Sequence, residues 1–67
     1  MKVKSMINLT VNSQWVIVKD KVGNTLTENY AETYKICKTL EKYNNVLNSD
    51  ILVFMTNSNN DLEITIK

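Results

Sequence analysis

An α+β domain with the element order β-β-α-β-β is what this sequence predicts, and three observations carry that reading. Short segments alternate between apolar and polar residues at period two, the repeat of a pleated strand. One longer segment between Asn29 and Tyr43 repeats its apolar residues at helical spacing. Asn- and Asp-rich clusters, together with the only glycine, punctuate the intervals between them.

The first strand is expected from about Val3 to Val11. Val3, Ile7, Leu9 and Val11 fall on one side, with Ser5 among them, and Lys4, Met6, Asn8 and Thr10 on the other. Asn12-Ser13 is a plausible tight turn, because Asn tolerates positive φ. Gln14 to Asp20 is the second strand, rich in aromatic and β-branched residues. With a two-residue loop, Leu9 opposes Val16 and Ile7 opposes Val18, which collects Ile7, Leu9, Val11, Val16 and Val18 on one face. Met6, Trp15 and Ile17 fall on the other.

Lys21 to Asn24 forms the next turn, around Gly23, and Thr25 to Thr27 either extend the sheet briefly or lead into the helix. Asn29 suits an N-cap, with Glu32 at the position of a capping box. The helix then presents Thr33, Ile36, Cys37, Leu40, Tyr43 and Leu47 on one side and Lys35, Lys38 and Lys42 on the other. Ile51 to Thr56 is apolar on both faces, the pattern of a central strand. Asn57 to Asp61 is a polar turn, and Leu62 to Ile66 alternates as a half-exposed closing strand. The simplest assembly is a four-stranded antiparallel sheet in the order 2-1-3-4, with one helix packed on one face.

At 67 residues the chain is one small domain, residues 1–67, which hides only about 60% of its unfolded surface. With 43% apolar and 22% charged residues it is too apolar for a disordered tail and too charged for a membrane segment. No apolar run approaches the ~20 residues that cross a bilayer, and no signal-peptide core is visible, so a cytoplasmic protein without a membrane partner is expected. The single cysteine, Cys37, cannot form a disulfide within the chain, which suits a reducing compartment. Lysine, asparagine, isoleucine and tyrosine are common and arginine is absent, a bias towards AT-rich codons that points to a low-GC bacterium, a phage or a mobile element.

Chemistry finds little purchase. Without histidine there is neither a base for Cys37 nor a Cys/His zinc site, so no catalytic residue, metal or cofactor is expected. The carboxylates, Glu41 apart, fall in turns, at helix starts or on strand faces turned to solvent, and form no evident pair in a cleft. Asn57, Asn59 and Asp61 alternate like calcium ligands, but Leu62 stands where such a loop needs glycine and no bidentate glutamate follows. Asn8-Leu9-Thr10 matches a glycosylation pattern without a secretion signal to use it.

One helix covers one sheet face, which leaves Met6, Trp15, Ile17 and Phe54 as a second apolar surface. The expected function is therefore a non-enzymatic protein–protein interaction or regulatory module acting through the sheet face opposite the helix. A homodimer is the first expectation, and a host protein the other partner. The alternative is a small nucleic-acid-binding protein that uses Lys35, Lys38 and Lys42, with arginine's phosphate fork missing. The run Trp15…Asp20…Gly23, followed by the amphipathic segment, loosely resembles the arm-type DNA-binding domain of phage-like tyrosine integrases over about 30 residues. That resemblance implies a three-stranded sheet laid into the major groove. The present chain departs from it in lacking arginine, carrying little excess charge and adding a final hairpin.

Overall fold

The computed structural model describes all residues, 1–67, as an α+β fold in which three helices lie on one side of a four-stranded mixed sheet. In chain order the elements are α1 (Val3–Leu9), β1 (Trp15–Lys19), β2 (Thr25–Tyr30), α2 (Ala31–Ile36), α3 (Glu41–Leu47), β3 (Ile51–Thr56) and β4 (Leu62–Ile66). The strand order is β2-β1-β4-β3. The two outer pairs are antiparallel, and the central pair, β1 with β4, is parallel.

The expected first strand is a helix. Val3, Met6 and Ile7 are spaced three and four apart, so the same letters that alternate also fit a helical stripe. Val3 and Ile7 are fully buried, whereas Leu9 is 85% and Val11 67% exposed, so the aliphatic strand face expected here does not form. The hairpin at Asn12-Ser13 is accordingly absent. The first hairpin joins β1 to β2 through Asp20–Asn24 instead. There the Asp20 carboxylate accepts the backbone N–H groups of Val22 and Asn24 at 3.1 and 2.9 Å, and Gly23 takes φ 98°. Only a residue without Cβ adopts that conformation freely.

The single helix expected over Asn29–Tyr43 is two short ones, broken at Cys37–Leu40. Tyr34 and Tyr43 explain the break. Nine residues apart, they would point to opposite sides of a continuous helix, at about 100° per residue. The turn between α2 and α3 brings both into the core, where their rings meet edge-on at 5.1 Å. The consequence is a changed buried stripe: Tyr34, Val46 and Leu47 are inside, while Ile36 and Leu40 are 69% and 54% exposed. Asn29 does not cap α2 as expected. Its Oδ1 accepts from the Tyr30 N–H and the Thr33 hydroxyl, and the first free N–H groups of α2 donate to the carbonyls of Gln14 and Asn12.

The second hairpin forms where the sequence predicts it. Asn57 Oδ1 accepts the N–H groups of Asn59 and Asp61 at 2.9 and 3.0 Å and closes the turn between β3 and β4. The strand order, however, departs from 2-1-3-4, and the sheet is mixed rather than wholly antiparallel. The strand apolar on both faces, β3, is an edge, and the alternating β4 is central. Parallel pairing of β1 and β4 sets Val16 beside Leu62 and Val18 beside Ile64 on the helix side. With α1 removed from the sheet, β4 is the strand that supplies this apolar row next to β1. The result is one cluster of eleven buried side chains drawn from α1, α2, α3, β1 and β4. The three-stranded sheet implied by the integrase resemblance is not the one formed.

Candidate interaction surface

Strand parity divides the sheet into two sides. Val16, Val18, Ile64 and Ile66 face the helices and are buried. Trp15, Ile17 and Lys19 face the other way, where no helix packs. Register places Tyr30 opposite Trp15, Glu28 and Glu63 on either side of Ile17, and Thr65 beside Lys19. The Trp15 and Tyr30 rings meet edge-on at 5.0 Å, and Tyr30 remains 51% exposed. Next to this aromatic pair runs a polar band. Lys19 Nζ donates to Glu63 Oε1 at 2.9 Å and Asn57 Nδ2 to Glu63 Oε2 at 2.9 Å. The hydrogen bond from Lys19, then that from Asn57, hold the Glu63 carboxyl below its ordinary pKa. Beyond the band, Val53 and Met55 of β3 share the same side through their partners Thr65 and Glu63.

The four residues expected to form one interface are distributed over three places. Trp15 and Ile17 do lie together on the helix-free side. Phe54 pairs with Ile64 and therefore projects on the helix side, yet it is 55% exposed, because α2 and α3 pack over β2 at the far end of the sheet. Met6 is half-buried on α1, against the core, because its segment is a helix. Tyr30, Val53 and Met55 are the side chains that the sequence reading missed on this face. Tyr30 was legible in principle: a hairpin centred on the Gly23 turn puts it across from Trp15.

The lysines also separate. Lys35 Nζ donates to the Thr10 carbonyl and to Asn12 Oδ1, both at 2.7 Å, and so ties α2 to the end of α1. Lys42 lies over the Tyr43 ring, 5.2 Å from its centre. Lys38 joins Lys35 and Lys4 around a cleft of about 510 Å³ between the three helices. Ile7, Tyr34 and Leu47 contribute its apolar lining, Asn8, Asn44 and Asn48 add amides, and no carboxylate takes part.

Cys37 is half-buried against the core. No three side chains of the Cys, Asp and Glu type gather as a metal site, and no helix is long and apolar enough to cross a membrane. Fold and surface together define the chain as a small α+β protein with one bare sheet side. In comparisons with protein-family models, curated proteins and solved structures, the chain matches none.

Proposed function

We propose that the chain is a non-enzymatic interaction or regulatory module that works through the helix-free side of its sheet, with a second copy of itself as the first partner and a host protein as the other. The observation that supports this reading is the Trp15–Tyr30 pair, held edge-on at 5.0 Å on a side of the sheet that no helix covers. Aromatic side chains carry a large share of the binding energy in protein interfaces, and their desolvation gains ~25 cal/mol per Å². The polar band of Lys19, Glu28 and Glu63 beside the pair supplies the directional contacts of a rim. A single half-buried thiol fits a protein that works in a reducing compartment.

Replacing Trp15 with Glu tests the reading. The variant keeps the circular dichroism spectrum of the parent. Where a second copy docks on this side, its mass by light scattering falls to one chain against two for the parent; where a host protein does, that protein is lost while the mass is unchanged. Unfolding of the variant would place Trp15 in the core. A parent mass of one chain at the highest attainable concentration removes the homodimer.

A second reading rests on the cleft that gathers Lys4, Lys35 and Lys38 without a carboxylate. It suits a nucleic-acid backbone, whose binding weakens steeply with salt. Gel shifts at low and moderate salt, with the parent and with Lys38→Gln, test it. Retardation that is lost with salt and reduced in the variant supports the cleft, and no retardation at low salt dismisses it.

A further inference from the structure

The two edges of the sheet differ. β2 is packed by α2 and α3 and carries the charged Glu28. β3 has the sequence Ile-Leu-Val-Phe-Met-Thr, without a charge or a proline, and Leu52, Val53, Phe54 and Met55 are 53%, 53%, 55% and 61% exposed. Unpaired edges are normally blunted by lysine, proline or a bulge. Here the amino terminus covers only the start of the strand. The Ile51 N–H donates to the Met1 carbonyl at 2.9 Å, whereas the Asp50 carbonyl accepts from Lys67 on the β4 side. Successive residues turn their backbone groups to alternate sides, so Met1 sits on the outer edge. The bulge between Ile51 and Val53 ends before Phe54, which leaves Val53–Thr56 as regular strand, paired with β4 on one side and unpaired along its outer edge.

We propose that this edge is where two copies of the chain join, β3 against β3 in antiparallel fashion, into one eight-stranded sheet. The contact is separate from the Trp15 surface: it moves the self-association to the edge and leaves the Trp15–Tyr30 side to a host protein, the other partner in the reading above, so Trp15→Glu stays dimeric. Three properties select a second copy as the occupant. An uncharged strand meets no like-charge repulsion from its own image, and the whole chain carries a net charge of only +1. Apolar residues project on both sides of the strand, so the seam is greasy above and below. The exposed area is also of the right order. Four side chains of this size, each more than half exposed, leave roughly 400 Å² per copy in water. Edge pairing leaves both faces of the strand open, so two copies remove at most about 800 Å² of this area, and with the strand backbone added the pair stays below the ~1,200 Å² at which specific, stable interfaces begin. That is the range of a reversible, concentration-dependent dimer.

Geometry restricts the register. Residues directly opposite in an antiparallel ladder share a face, so the two-fold axis passes through a residue rather than between two. An axis at Phe54 sets it against the partner's Phe54 on the helix side, and Val53 against the partner's Met55 on the bare side.

The test is light scattering on the full chain from low to high micromolar concentration, for the parent, Phe54→Lys and Trp15→Glu. Circular dichroism and Trp15 fluorescence check the fold of Phe54→Lys, and Met55→Lys replaces it if it unfolds. The parent mass rises from one chain to two, and the edge variant raises the dissociation constant at least about tenfold. In the parent, amide exchange in Val53–Met55 slows as concentration rises. Loss of the dimer in Phe54→Lys but not in Trp15→Glu supports the edge. Loss in Trp15→Glu alone overturns it and leaves the bare face as the self-contact. Where both variants lose the dimer, exchange decides: protection in Val53–Met55 supports the edge and its absence overturns it. A parent of one chain throughout, including one that binds only an unrelated extended peptide, overturns it as well.

Discussion

The hydroxyl of Thr27 and the phenol oxygen of Tyr34 lie 2.8 Å apart, and Tyr34 donates its proton to the Val16 carbonyl at 3.2 Å. Thr27 therefore donates to Tyr34. This chain of two bonds links β2, α2 and β1 in the interior, where Thr27 is the one buried polar residue outside the apolar cluster.

Tyr34→Phe removes the middle of that chain and leaves the Thr27 hydroxyl without its acceptor. A loss of about 1–2 kcal/mol is expected, read from urea unfolding. An unchanged midpoint would show that water replaces the phenol.

Burial pushes the Tyr34 phenol up to about 12 from an ordinary value of 10.0, and the hydrogen bond from Thr27 offsets only part of the rise. With the folded value above the unfolded one, the folded chain holds a proton that the unfolded chain has released. The stabilisation is complete below pH 10 and drains away as pH rises towards 12, by on the order of 2–3 kcal/mol. Unfolding followed over that window, in the parent and in Tyr34→Phe, isolates this contribution.

At the acid end the sign reverses. Glu63 is held below its usual range by the hydrogen bonds from Lys19 and Asn57, and Asp20 by the backbone N–H of Asn24. Their stabilisation is present at neutral pH and is lost as pH falls through the lowered folded values. Glu63→Gln flattens the acid limb of a stability–pH curve; an unaltered limb would show that the pair with Lys19 contributes nothing in solution.

Gly23→Ala strains the turn between β1 and β2, where φ is 98°, although space for the methyl group exists. The expected cost is about 1 kcal/mol, all of it conformational, with the mass in solution the same as the parent's. Thermal unfolding and light scattering read the two outcomes separately.

The break between α2 and α3 sorts residues that look alike in sequence. Leu47→Ala is expected to cost about 2–4 kcal/mol and Ile36→Ala less than about 0.5 kcal/mol, since Leu47 is 6% and Ile36 69% exposed. Equal losses in chemical denaturation would mean that a continuous helix, with Ile36 inside, is the better description.

The sequence by itself determined the α+β class, the strands around Trp15–Lys19, Ile51–Thr56 and Leu62–Ile66, and the turns at Gly23 and Asn57–Asp61. These rest on local chemistry: β-branched runs, one residue free to take positive φ, and an asparagine that folds back on its own backbone. It also exposed Trp15 and Ile17 as apolar residues on the strand face opposite Val16 and Val18. Only the tertiary structure decided that Val3–Leu9 is a helix, because seven residues are too few to separate a period of two from one of 3.6. The core settled it by burying Val3 and Ile7 and leaving Leu9 out. Tertiary packing likewise broke the helix to bring Tyr34 onto Tyr43, and moved β4 inside to line up with β1. That last step left Phe54 and the rest of β3 at an edge, since strand order follows from which apolar rows meet across the sheet and no strand carries that information alone.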